Sequence, residues 1–258
     1  GWGQIAQIAP VFDSNYNSLQ ASVEKRFGGN SLINVSYTWS HGLTDNQSDR
    51  STGLQNTYCR ACDYGRSQLD RRHVFTANYV WDIPWLRNQP GLTGSLLGGW
   101  QVSGILTVNS GLPFTVLTSR AAGDPAASGL NIYGAPNNGA AASPRPNQLG
   151  DPNANAPKTW DQFFDTSVFV NPTTAQPFGG NERRGAVNGP GLWRYDMSLM
   201  KAFRITEGSA IQFRAEAFNI FNHTNFSTIG TSTTSSLFGK VTGTRDPRIV
   251  QLALKFTF

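Results

Sequence analysis

Few residues of this chain are of a type that could do chemistry, and their spacing limits what that chemistry would be. Cys59-Arg60-Ala61-Cys62 is a C-x-x-C pair and holds both cysteines. Such a pair serves thiol redox chemistry in a βαβ setting, half of a zinc site, or a local disulfide. No βαβ pattern surrounds it. Only three histidines exist, His41, His73 and His223, and none lies near it in sequence. The reading favoured is a bridge that pins a loop in an oxidising compartment, with free or partner-paired thiols as the alternative. No Ser-His-Asp or metal spacing surrounds any histidine, so each reads as a polar aromatic at a strand end. No glycine-rich phosphate loop opens a helix, and no motif places two carboxylates for acid–base work. The residues therefore point to no enzyme, no cofactor and no metal.

Two other groups are chemically suggestive. Arg214 and Glu216 stand two residues apart, with Lys255 on a later segment of the same patterning. They read either as a charge ladder that grips a partner domain or guides a solute, or as a mutually paired, solvated wall. Trp160, Phe163 and Phe164 sit in a long polar stretch. They read either as contacts for a sugar or planar solute, or as self-packing that keeps a long loop compact.

The elements that must position these residues are strands. Apolar and polar residues alternate over Tyr16–Phe27, Leu32–His41, Arg72–Ile83, Trp100–Asn109, Arg194–Ile205, Ser209–Ala217 and Arg248–Phe258. Period-two alternation means one apolar and one polar face. The seven segments run about 9 to 12 residues, against about five or six for an ordinary soluble strand. An 11-residue strand spans roughly 36 Å and, tilted about 45°, rises roughly 26 Å, the height of the apolar band of an outer-membrane barrel. No run approaches about 18 apolar residues, as a membrane-spanning helix would need.

The connections alternate as well. Phe27–Ser31 and Ile205–Ser209 are tight turns, and Asp82–Gly99 is of medium length. The links at about 42–71, 118–193 and 222–247 are long. Short turns on one side and long loops on the other fit periplasmic turns and extracellular loops. With the last strand ending in the periplasm, Phe27, Trp81, Trp100, Phe203 and Phe258 fall at the periplasmic ends of the apolar face. Tyr37, Trp39, Phe75 and Tyr195 fall at the extracellular ends, giving two aromatic girdles. Val74, Val80 and Ile105 depart from the pattern on the polar side. Lys25 and Lys201 depart on the lipid side, near the periplasmic turns, where they are expected to snorkel or to be re-aimed by a bulge. The alternation dissolves over Phe218–Phe221.

Composition agrees. Charged residues make up 14% of the 258 residues, against about 25% in an average soluble domain. That excludes a coiled coil and a charged disordered tail. The net charge of +5 comes from scattered Lys and Arg, with no basic stripe to bind nucleic acid.

At the C-terminus Val250, Leu252, Leu254, Phe256 and Phe258 alternate to the last residue. This resembles the terminal strand that the barrel-assembly machinery of the outer membrane recognises. Asn15–Gln20, Glu24–Phe27, Ser36–Ser40, Asp70–Phe75, Gly111–Phe114, Gln212–Asn219 and Phe221–His223 are similar to stretches of TonB-dependent outer-membrane receptors of the Oar-like type. The similarity runs from about Asn15 to Phe258 and is weakest over 119–193. It implies a Gram-negative-type outer membrane and a barrel of about 22 strands around an N-terminal plug. The partners it implies are lipid, the rest of the barrel and plug, the assembly machinery and, indirectly, the TonB complex.

The expectation is an all-β chain: an antiparallel up-and-down meander of about seven long strands. It would be part of a transmembrane β-barrel with long extracellular loops, spanning 1–258, with plug and signal peptide absent. The expected function is uptake of a large solute. A non-transporting adhesin or structural barrel is the alternative, and a secreted glycan-binding β-sandwich the third reading.

Overall fold

The structure is a computed structural model that describes residues 12–46, 55, 59–86, 90–118, 144–173, 176 and 179–258. The chain start at Gly1 and residues 119–143 of the longest link lie outside the described residues. The first hairpin joins β1 (Ser14–Arg26) to β2 (Leu32–Thr44). After a single 3-10 turn (Arg60–Asp63), the short β3 (Gly65–Arg66) pairs with the far end of β2. Then come β4 (His73–Asp82), helix α1 (Gly91–Leu97) and β5 (Trp100–Asn109). Four two-residue strands follow: β6 (Pro113–Phe114), β7 (Asn147–Gln148), β8 (Phe169–Val170) and β9 (Val187–Asn188). A second hairpin joins β10 (Leu192–Arg204) to β11 (Ala210–Phe218). The chain ends with β12 (Phe226–Ile229), β13 (Val241–Thr244) and β14 (Ile249–Thr257).

The seven long strands form one antiparallel sheet in the order β1-β2-β4-β5-β10-β11-β14. Each pairs with its predecessor among the long strands, as a meander requires. The register decides which side chains share a face. Val23 lies opposite Val35, Val35 opposite Ala77, and Ala77 opposite Leu106. Leu106 lies opposite Tyr195, Leu199 opposite Ala215, and Ala215 opposite Leu252. One face is thus apolar across all seven strands. The other carries Ser22, Ser36, Thr76, Thr107, Ser198, Glu216 and Gln251 in the same manner. Leu19, Val23, Trp81, Val250, Leu252 and Leu254 are exposed on the apolar face. A contiguous apolar band of this extent marks a surface made for something other than water.

Pairing between the seven segments follows the expected alternation, so the fold class is as the sequence implies. The register of β1 with β2 is continuous, so no bulge re-aims Lys25. Val74, Val80 and Ile105 do lie on the polar face, opposite Asn109, Ser103 and Asp196. Lys201 corrects the snorkelling expectation. Its side chain is buried, with the ammonium on the Gly98 carbonyl and over the rings of Trp100 and Phe203. A local carbonyl and two aromatic faces solvate the cation in place of bulk water.

One glycine is required by the apolar face. A Cβ on Gly104 would come within 2.8 Å of Tyr79 Cε1 and 3.0 Å of the Tyr195 hydroxyl. The bare backbone lets both rings lie over β5, where their hydroxyls hydrogen-bond each other at 2.5 Å. On a lipid-facing surface that contact satisfies two polar groups that water cannot reach.

The sheet has a turn end and a cap end. At the turn end are residues 27–31, the 83–99 connection with α1, and residues 205–209. At the cap end lie β3, β6 to β9, β12 and β13. The exit of β11, where the alternation dissolves, is at this end too. Asn219 takes φ 51° and accepts from the His223 N–H at 3.0 Å, which turns Phe221 back to stack on Tyr195. Trp193, Phe221 and His223 thereby join the girdle of Tyr37, Trp39 and Phe75.

Candidate functional site

The best-packed part of the molecule is the cap. Its core is Val116, Phe163, Phe164, Val187 and Ile229, with Phe114, Phe169, Phe226, Phe238 and Val241 packed against it. Phe164 meets Phe238 edge-on at 5.5 Å and Phe169 at 6.0 Å, and Phe163 meets Phe226 at 6.3 Å. Burying each aromatic contributes about 1.5–3 kcal/mol, which can hold loops otherwise poor in regular structure. The short strands tie these loops: β6 with β9, β7 with β8, and β12 with β13.

A buried ionic clamp locks the cap to the sheet. The Cys59–Cys62 disulfide closes the 3-10 turn that presents Asp63. Asp63 is fully buried and accepts from Arg145 Nη1 at 2.5 Å, Arg184 Nε at 3.0 Å and the Gln55 backbone N–H at 2.8 Å. Arg145 also donates to the Cys62 carbonyl at 3.0 Å and to the Glu182 carbonyl at 2.8 Å. Every polar group in a dry cluster needs such a partner. The fixed turn therefore sets where Arg145 and Arg184, on the far side of the long loop, must land.

Beside the clamp, Glu182 is buried and accepts from the Val116 N–H at 2.9 Å through Oε1, while Oε2 has no hydrogen-bond partner among the described residues. Burial pushes its carboxyl up to about 8, against the opposing pull of the Val116 N–H and the Arg145 charge. Below the ordinary value of 4.5 the group is protonated both folded and unfolded. Between that value and about 8 the unfolded chain releases the proton that the folded cap keeps. Cap stability therefore falls as pH rises through this window, by on the order of a few kcal/mol, and levels off above it. Proteolytic nicking of the 144–190 segment, normalised to denatured substrate, is expected to be faster at pH 8.5 than at pH 5.5. The Glu182→Gln variant keeps the Val116 contact and should lose most of that difference; an unchanged pH slope would reject Glu182 as its source.

A second knot lies where β2 meets β4. The buried Asp70 accepts from Arg66 Nε at 2.8 Å and the Gly42 N–H at 2.9 Å, and pairs with His41 at 3.3 Å. Burial alone would push this carboxyl up. The Arg66 hydrogen bond and charge, the Gly42 N–H and His41 outweigh it and hold Asp70 below its ordinary value. The Ser40 hydroxyl donates to the Arg71 carbonyl at 2.6 Å, and Tyr37 pairs with His73 at 2.7 Å. The Asp70–His73 run thus fixes the cap end of two wall strands.

The expected site residues do not form one site. Arg214, Glu216 and Lys255 all lie on the polar face, with Arg214 3.6 Å from Glu216 and Lys255 opposite Gln212. Arg194 and Asp196 make a like pair at 2.7 Å on β10. Partly exposed pairs of this kind contribute about 0–1 kcal/mol, which is how a mutually paired, solvated wall behaves. Solute contact is corrected for two of the three cap aromatics. Phe163 is 7% exposed and Phe164 1%, both consumed by the core, while Trp160 is 68% exposed. Val250, Leu252, Leu254, Phe256 and Phe258 line the exposed apolar side of the edge strand.

Sequence reasoning missed Asp63, Arg145, Glu182 and Arg184. Nothing in periodicity marks them, because the partners that bring them together are about 40 to 120 positions away in the chain. Among the described residues no three His, Cys, Asp or Glu side chains are grouped to hold a metal ion.

The family model described as outer membrane beta barrel domain matches residues 1–251. No curated protein and no solved structure matches the chain.

Proposed function

Because the chain belongs to the outer membrane beta barrel domain family, with the outer membrane as its place, we propose that it forms part of the wall and the outer cap of a TonB-dependent receptor. In this reading the full-length protein takes up a large solute. The loops at the cap end face the outside and meet the solute, with Trp160 an exposed aromatic among them. The polar face, with Arg214, Glu216 and Lys255, faces a plug in the lumen. Energy arrives from the inner membrane through TonB. No residue of this chain does covalent chemistry.

The observation that carries the reading is the sheet's incompleteness. Seven wall strands carry one lipid-type face and one polar face, and among the described residues no strand pairs with the outer edge of β1 or β14. A barrel abolishes its edges, so these two call for further wall strands. A large barrel around a plug supplies them. The similarity of the Asn15–Gln20 and Gln212–Asn219 stretches to Oar-like receptors points the same way.

The test is the coding sequence upstream of the Gly1 codon. An open frame of several hundred codons, encoding further alternating strands, a plug-sized domain and a TonB-contacting segment, is expected. A start codon and signal peptide immediately upstream would overturn transport and leave an adhesin or structural barrel.

A further inference from the structure

The connection between β4 and β5 is longer than a barrel turn needs to be, and its described parts, 83–86 and 90–99, carry no charged residue. Helix α1 reads Gly-Leu-Thr-Gly-Ser-Leu-Leu and carries no charge. Leu92, Leu96 and Leu97 are all exposed, Leu92 at 80%, and so is Trp85 just before the helix. Leu92 and Leu96 stand four apart, one above the other on a single helix face. Nothing among the described residues covers them. Three leucines and a tryptophan left in water would forgo the gain that burying apolar surface brings.

Their location says what covers them. The Trp100 indole N–H donates to the Leu96 carbonyl at 3.1 Å, and the Lys201 ammonium rests on the Gly98 carbonyl one residue past the helix. Trp100 and Lys201 are directly opposite each other on the apolar face of the wall. Trp85 packs edge-on against Trp81 of the same face, with ring centroids at 6.3 Å. The helix is therefore held on the lipid side of the sheet, at the turn end, continuous with the band of Trp81, Trp100 and Phe203. That is the level where aromatic rings mark the border between acyl chains and headgroups.

We propose that α1 and Trp85 are an in-plane anchor in the glycerophospholipid leaflet of the outer membrane, seated between headgroups and acyl chains. The leaflet assignment rests on the proposed outward-facing cap. Lys201 and Trp100 dock the helix backbone on the wall, and the leucines enter the leaflet. The occupant is lipid rather than a periplasmic protein, because the patch is the edge of a lipid-facing surface and not an island separated from it.

Nitroxide labels on Leu92→Cys, Leu96→Cys, Gly208→Cys and Leu252→Cys in the full-length protein test this, in vesicles of phosphatidylethanolamine and phosphatidylglycerol. The two cysteines of this chain are bonded to each other, and any further cysteine of the full-length protein is replaced by serine. Collision rates with oxygen and with a water-soluble nickel chelate are read by power saturation. At positions 92 and 96 nickel collisions should fall about tenfold below those at 208, with oxygen collisions high, as suits a site roughly 5–10 Å beneath the boundary. Nickel access equal to that at 208, with 252 protected, would overturn the anchor and leave the barrel intact. Low access to both reagents would mean a protein covers α1, and would overturn it equally. Nickel access at 252 as well would sink the lipid-facing assignment of the wall, and the anchor with it. Quenching of Trp85 by brominated lipid, taken as the difference from Trp85→Phe, gives a label-free reading of the same depth.

Discussion

Asp63→Ala is expected to release the cap while leaving the wall in place. The substitution removes the carboxylate on which Arg145 and Arg184 converge and strands Arg145, which is 4% exposed, as a buried cation without its counter-charge. Removing one partner of a buried ion pair costs about 3–5 kcal/mol. The loss should appear as rapid proteolysis of the 144–190 segment and as earlier melting of the cap, with the membrane-inserted sheet unaffected. Asp63→Asn keeps the shape and one acceptor, so it should fall between the two. A cap as resistant in Asp63→Ala as in the parent would mean that the aromatic core alone holds it. Opening the Cys59–Cys62 ring by reduction should be milder, on the order of 2 kcal/mol for so short a loop.

Leu252→Arg should block insertion. Leu252 lies midway along β14, opposite Ala215 on the apolar face. An arginine at the lipid midplane of a barrel costs about 2–4 kcal/mol. That is roughly a 30- to 800-fold loss in the insertion equilibrium. Gln251→Arg, one residue earlier on the polar face, is the control and should insert normally, since its partner Glu216 lies directly across. Membrane fractionation compares the two. Equal recovery in the membrane would show that the facing assignment is wrong, because a one-residue step exchanges the two faces of every strand.

The wall was legible because its signal is local. Val35, Tyr37 and Trp39 declare their face by alternation alone, and register merely aligns faces that each strand already carries. Lys201 was misplaced because alternation gives a face but no neighbours. Its solvation comes from the Gly98 carbonyl, far away in sequence. Helix α1 is seven residues between Pro90 and Gly98, too short for a 3.6-residue period to stand out. The cap was only half legible. The aromatic stretch around Phe163 suggested a compact element, but the core needs Val116, Val187 and Ile229 from other loops. The clamp was invisible: charged residues scattered through polar loops look solvated until the fold brings Asp63, Arg145 and Arg184 together.

The cap draws on loops that are remote from one another along the chain, and this puts its formation on a clock. The Arg66 N–H meets the Arg184 carbonyl, Pro113–Phe114 meets Val187–Asn188, and the Val241 N–H meets the Trp160 carbonyl. The first needs the loops after β2 and β5 on the same side of the sheet and the third those after β5 and β11, while the second closes the long loop after β5 on itself. Such long-range closures come late because their entropic cost precedes their reward. The lid is consequently the last part to set, and its setting reports that the three hairpins beneath it have already crossed. A half-inserted wall would have an open top, with Asp63 and Arg145 still in water, and proteases could distinguish it from the finished protein by the cap alone.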